Sequence, residues 1–259
     1  MDSLLDKARR VSETGDWVHM LLFSPPGAGK TVFSCTEGRT LLLDCDGNGQ
    51  SSLLNHPDIE PNVRALRIKT QDQAIKVAGE LRQGNHDYVT VVLDTISMLQ
   101  MNDLAYLVKT KYFEWETKGK QGSARSMYLP TRQDYNEETQ RMRDVVIQFM
   151  DLPMNVVITA HEYVKEPEDG DSDQTTYIRA AMTPALAGTV HALADLTGYL
   201  TCDQKLNGPE IRKLRVKPTR RITAKTRIDF GTIELTNPTL KDILTAKRRL
   251  VKMVNTPAA

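Results

Sequence analysis

Cysteine is scarce in this chain: three among 259 residues, at positions 35, 45 and 202. No Cys-x-x-Cys pair and no even framework occurs, which excludes a disulfide scaffold and a zinc knuckle and fits a reducing compartment. An excess of one charge is also lacking. Lys and Arg number 34 against 33 Asp and Glu, a formal net charge of +1. No global basic field therefore draws nucleic acid, and any such partner must meet a local patch. No apolar run approaches the roughly 20 residues of a membrane span. The opening "MDSLLDKARRVSETGDW" is polar and carries acids, unlike a signal or transit peptide. These absences predict a cytoplasmic protein with no membrane partner.

What is present reads as a soluble α/β chain. The hydrophobic share is 40%, and the length suffices for one large domain with a substantial core. Runs rich in β-branched residues alternate with helical patterns. Strands are predicted at Val18–Phe23, Thr40–Leu43, Val63–Ile68, Tyr88–Leu93 and Asn155–Thr159, with later ones at Leu196–Cys202, Ile211–Val216 and Arg227–Phe230. Helices are predicted from Gly29, over Asp72–Gln83, from Ile96 to about Lys109, and over Tyr135–Leu152, Pro184–Leu193 and Lys241–Val254. Residues 114–130 and the acidic 165–174 read as loops. This order predicts a mainly parallel sheet flanked by helices, with an antiparallel β extension. A single domain is expected over 1–259, with an N-terminal segment at 1–17 and a C-terminal helix and tail at 238–259.

The stretch "MLLFSPPGAGKTVFSC" places a glycine turn and Lys-Thr between a strand and a helix. That is the P-loop context. Pro26, Gly27, Ala28, Gly29, Lys30, Thr31 and Val32 form the expected phosphate cradle. Glycines let backbone N–H groups curl around phosphate oxygens, and the following helix start favours negative charge. Lys30 neutralises phosphate, and the Thr31 hydroxyl is a candidate ligand for Mg²⁺. The strict pattern has Gly where Ser24 stands. A second acid comes from "VTVVLDT": Asp94 ends a buried strand, the Walker B arrangement that holds the metal. Thr31 and Asp94 are thus the predicted metal residues.

The segments "SPPGAGKT", "LLLDCDGN", "DYVTVVLDTIS", "NVVITAHE", "TPALAGTVHALADLTGYL" and "KTRI" together make the chain resemble RecA-core ATPases of phages, in particular the Sak-four-type single-strand annealing proteins. The resemblance spans about Val18 to Phe230. It implies a RecA-like P-loop ATPase with ATP and Mg²⁺ as cofactors. It implies a phage protein acting on single-stranded DNA in a bacterial host, in annealing or recombination. Its partners are then single-stranded DNA, further copies of itself in a filament or ring, and a single-strand-binding protein. Asp46 takes the place of the general base, His161 that of the residue sensing the γ-phosphate, and Lys225 and Arg227 that of a finger reaching a neighbour's site. In the AAA+ class the catalytic acid follows Walker B directly; here Asp94 is followed by Thr95, which argues against that class. Two other functions compete: a replicative helicase-like motor, and a nucleotide-gated DNA-binding module with negligible turnover.

The region from Lys109 to Arg132 interleaves cations with aromatics, as single-strand binding requires. Lys118, Lys120, Arg125 and Trp115 are the predicted DNA contacts. The basic run Lys247, Arg248, Arg249 is a secondary candidate.

Overall fold

The computed structural model describes residues 15–120, 122, 124–166, 176–203 and 208–255. Most of the predicted acidic loop and of the N-terminal segment, and the last four residues, lie outside the described residues. The chain runs β1 (His19–Ser24), α1 (Lys30–Ser34), β2 (Thr40–Asp44), β3 (Val63–Arg67), α2 (Gln71–Gln83), β4 (Thr90–Asp94), α3 (Ile96–Thr117), α4 (Arg132–Met150) and β5 (Asn155–Lys165). It continues through β6 (Tyr177–Ala180), α5 (Pro184–Leu193), β7 (Leu196–Asp203), β8 (Ile211–Arg215), β9 (Lys225–Thr226), β10 (Glu234–Thr236) and α6 (Leu240–Asn255).

The strands form one sheet in the order β10-β8-β7-β1-β5-β4-β2-β3, with β6 on β5 and β9 on β7. From β7 to β3 all neighbours are parallel, whereas β6, β8, β9 and β10 pair antiparallel. Both faces of the parallel part are covered, so its strands read as continuous apolar runs. Leu41, Leu43, Val91, Leu93, Val156 and Ile158 face one core, closed by α2, α3, α4 and α5. Met20, Leu22, Leu42, Val92 and Val157 face the other, closed by α1 and α6. This is the predicted α/β architecture of a RecA-like P-loop NTPase. Parallel pairing aligns Asp44 with Asp94 and Ser24 with His161. It thereby gathers the carboxyl ends of β1, β2, β4 and β5 at one edge, where such sheets bind ligands.

Two sequence expectations are corrected. Helix α3 continues to Thr117 instead of stopping near Lys109, so the predicted loop at 114–130 starts later. Lys111 Nζ ties the extra turns to Asp134 (3.0 Å) and Glu137 (2.6 Å). The helix stops where Gly119 turns left-handed at φ +72°. Arg227–Phe230 is not a strand. The pairing stops after Thr226, whose hydroxyl donates to Ile228 O (2.7 Å) and accepts from Ile228 N (2.9 Å). That local side-chain turn competes with the ladder. The short strands β6 and β10 carry no sequence signal strong enough to have been read.

Candidate nucleotide site

After Ser24 the backbone needs left-handed residues to turn from β1 into α1, and Gly27 (φ +79°) and Gly29 (φ +93°) provide them. A Cβ on Gly29 would also lie 2.6 Å from Arg212 Nε. Helix α1 has only five residues. The cradle therefore depends on loop N–H groups more than on a macrodipole. Pro26 and Gly27 are exposed, Ala28 is buried, and Val32 is half-buried against the second core.

Lys30 is 7% exposed. Its ammonium donates to Ser24 Oγ (3.0 Å), Ser24 O (3.3 Å) and Pro25 O (3.3 Å). Ser24, standing where the strict motif has Gly, thus supplies a hydroxyl that holds the lysine. Burial lowers the Lys30 pKa below its ordinary value, opposed by Asp94, Asp46 and Glu162.

Thr31 Oγ1 donates to Asp94 Oδ2 at 2.6 Å, and the Thr159 hydroxyl donates to Asp94 Oδ1. Burial pushes the Asp94 carboxyl above the usual carboxylate range, while the Thr159 and Thr31 hydroxyls and Lys30 oppose it. The Asp94–Thr95 peptide bond is cis. Asp46 stands opposite: its Oδ1 accepts from Thr95 N (3.1 Å) and Thr95 Oγ1 (3.0 Å). Its Oδ2 faces His161 Nε2 at 3.6 Å. Burial pushes Asp46 up, but His161 and Thr95 outweigh it and hold the carboxyl below its usual range. The His161 backbone N–H donates to Ser97 Oγ (3.1 Å), which fixes the main chain behind the ring. Asp44, the other acid of β2, instead accepts Gly47 N at 2.6 Å and shapes the turn.

Lys30, Thr31, Asp94, Asp46 and His161 are therefore brought together. Lys225 and Arg227 lie elsewhere. Lys225 Nζ donates to His191 O (2.7 Å) and Ala192 O (2.9 Å), and Arg227 donates to Ala192 O (2.9 Å) and lies 3.5 Å from Asp195. Both cations cap the C-terminal end of α5 in their own chain. Of the predicted DNA contacts, Lys118 and Lys120 are exposed at the end of α3, and Trp115 is half-buried, 6.0 Å from the Tyr112 ring. Arg125 reaches Asp134 at 3.3 Å. In the C-terminal run, Lys247 pairs with Asp195 (2.9 Å) and Arg248 with Asp16 (2.8 Å).

Two site neighbours escape a reading by sequence. Thr159 contacts Asp94 only because β5 lies beside β4. Arg212, on β8, rests its guanidinium against Gly29 and pairs with Glu210 at 2.6 Å. Its Nε is buried with no hydrogen-bond partner among the described residues. The basic strand "IRKLR" marks it as cationic, but its approach to the P-loop depends on long-range pairing.

A family model described as AAA domain matches residues 17–228. The chain belongs to this AAA domain family of P-loop NTPases. Thr95, which follows Asp94, holds Asp46, so the second acid near Asp94 comes from beyond β2. No curated protein matches. Among solved structures, the flagellar accessory protein FlaH from Methanocaldococcus jannaschii is similar over 86% of this chain and 90% of its own. Identity is 7% and the TM-score 0.40, too slight a likeness to carry an argument.

Proposed function

We propose that the chain, acting as a single domain, is a Mg²⁺-dependent ATPase that works on single-stranded DNA in annealing or recombination. The observation that carries the ATPase reading is the convergence of Thr31 and Asp94 oxygens 2.6 Å apart beside a buried lysine and a second, fixed carboxylate. A hydroxyl and a carboxylate so placed suit a hard divalent cation. When bound, the cation supplies neutralisation of phosphate charge. The loop N–H groups from Gly27 onward orient the phosphates. Lys30 leaves its Ser24 and Pro25 acceptors for phosphate oxygens. Asp46, ionised and held by Thr95, orients water through its Oδ2 and accepts its proton. His161, beside that oxygen, registers whether a phosphate is present. Arg212, with an unpartnered Nε against Gly29, adds a second cation on the loop.

The DNA reading is supported by the cations and aromatics between Lys109 and Arg132, on the last turns of α3, which begins two residues after Asp94, and on the segment between α3 and α4. Turnover of ATP, measured with and without a single-stranded oligonucleotide, tests the proposal. Stimulation that disappears in Lys30→Ala is expected. Turnover untouched by Lys30→Ala removes the P-loop reading, and turnover indifferent to DNA removes the DNA reading.

A further inference from the structure

Helix α3, the segment at 127–130 and the start of α4 enclose a groove of about 560 Å³, within the size class of small-ligand sites. Its walls are apolar and aromatic: Met101, Leu104, Met127, Tyr128, Pro130 and Tyr135. Tyr128 is 76% exposed and Met101 63%, a concentration of exposed apolar surface that marks binding. The floor is different. Gln100 and Glu138 line it, and Glu138 is fully buried. Gln100 Nε2 donates to Glu138 Oε2 at 2.9 Å. Glu138 Oε1 has no hydrogen-bond partner among the described residues. The nearby Thr139 hydroxyl bonds Thr183 Oγ1 at 3.3 Å and, with Gln100, opposes the burial that raises the Glu138 pKa. A buried carboxylate oxygen without a donor is costly, and here it lies beneath an aromatic-walled groove.

The occupant must bring a flat or apolar body and an N–H donor. The rim decides its class. Lys109 lines the groove, and the exposed Arg132 follows the lining residue Pro130 by two positions at the start of α4. Neither has an ion-pair partner among the described residues. Such a rim repels a cationic peptide side chain and attracts phosphate. Amino-bearing base, aromatic walls and phosphate-binding rim together describe single-stranded nucleic acid.

We propose that this groove is a base-reading subsite, in which Glu138 Oε1 accepts from the exocyclic amine of a cytosine or adenine stacked against Tyr128 or Tyr135. The inference rests on the single-strand reading above. Carboxylates accept from the cytosine amine in known base recognition, and thymine, which has no exocyclic amine, is the discriminated base. The groove floor and the nucleotide site share helix α3. Gln100 lies on α3, one turn beyond Ser97, which holds His161 N and donates to Ala181 O at 2.7 Å. Gln100 Oε1 accepts from Thr183 N at 3.2 Å.

The test is a comparison of binding to 15-mers of deoxycytidine, deoxythymidine and an abasic backbone, at one salt concentration with a non-hydrolysable ATP analogue. Wild type is expected to hold the deoxycytidine strand about tenfold tighter than the deoxythymidine strand, the worth of one well-made hydrogen bond. Glu138→Met, an apolar replacement of similar length, should abolish that ratio while leaving deoxythymidine binding in place. Should Glu138→Met fail to fold, Tyr128→Ala at the exposed rim serves instead: it should weaken both base-bearing strands and leave the abasic one unchanged. An equal ratio in wild type and Glu138→Met overturns the proposal. So does a change of oligomeric state, without a change of DNA affinity, in Tyr128→Ala, which would make the groove a contact between copies. If wild type binds no strand in any nucleotide state, the single-strand reading fails as well; equal binding to all three strands sinks the groove alone.

Discussion

Asp46 has one oxygen committed to Thr95 and the other turned to His161, so its carboxylate is oriented before any water arrives. Asp46→Asn keeps the shape and loses the proton acceptor. ATP binding should persist, and turnover should fall by about 10²–10⁴-fold, the range for a general base. A single-turnover assay beside an affinity measurement separates the two, and unchanged hydrolysis takes Asp46 out of the mechanism. Asp94 obeys the opposite electrostatics. Burial raises its pKa above the usual range, and the Thr159 hydroxyl is the largest influence holding it down. Cation binding requires the carboxylate, so Mg²⁺-dependent nucleotide affinity should decline as pH falls through that raised value. Thr159→Val removes the hydroxyl, leaves protonated Asp94 favoured further, and should move this acid limb to higher pH. A limb at the same pH in both proteins would falsify the assignment of Thr159 as a tuner of Asp94. Gly27, Gly29, Lys30 and Thr31 are legible because their spacing is local, and Asp94 because an acid that closes an apolar strand is a local pattern, although it meets Thr31 across 63 residues. Thr159 and Arg212 are not legible, because each meets the site only through strand pairing across a long stretch of chain.

At the scale of elements, the parallel strands were legible as uninterrupted apolar runs, since burial on both faces removes alternation. The end of α3 was not. Its last turns are polar, and what keeps them helical is tertiary: Lys111 bound to Asp134 and Glu137 on α4. The joint between these helices also contains Glu138, whose carboxyl burial pushes up to about 7 from 4.5. Between those values the unfolded chain releases the proton and the folded chain retains it. Stability therefore falls as pH rises from about 4.5 to 7, and the full penalty stands above 7. Glu138→Gln removes the charge and keeps an acceptor for Gln100. It should be more stable than wild type at pH 8, by at most on the order of 3 kcal/mol, with no gain near pH 4. Denaturant melts at the two pH values check this; a gain independent of pH would place the effect in packing. The neighbouring surface has its own expectation. Lys118 and Lys120 are exposed, whereas Arg125 is held by Asp134, so Lys118→Ala with Lys120→Ala should lower the log–log salt slope of single-strand binding by about 1.4, at roughly 0.7 per phosphate contact. Arg125→Ala should disturb the α3–α4 joint more than the slope.

At the scale of the whole molecule, the sheet separates the predicted finger from its own nucleotide site. β9 pairs Thr226 with Leu196, and β7 in turn sets Leu196 beside Met20. The P-loop leaves β1 after Ser24, four residues further on, which at about 3.3 Å per residue is roughly 13 Å along the strand. Lys225 and Arg227 therefore stand at the opposite edge of the sheet from the phosphates of their own chain, and any role they have in hydrolysis must be played on a second copy. Their contacts in one chain supply a competing role: two cations on the last carbonyls of α5, an arrangement worth about 0.3–1 kcal/mol each at a helix C-terminus. The two roles leave different traces. If the cations only cap α5, Lys225→Ala and Arg227→Ala should lower the melting temperature, and turnover per folded molecule should stay the same at every protein concentration. If they act in trans, nucleotide affinity should be retained while the rise of turnover with protein concentration is lost. Mixing Arg227→Ala with Lys30→Ala decides between them. The first variant keeps an intact P-loop and the second an intact finger, so a mixed assembly contains interfaces where both are whole. Activity recovered in the mixture, from two proteins each inactive alone, is expected. A mixture that co-assembles and recovers nothing would leave Lys225 and Arg227 as caps of α5.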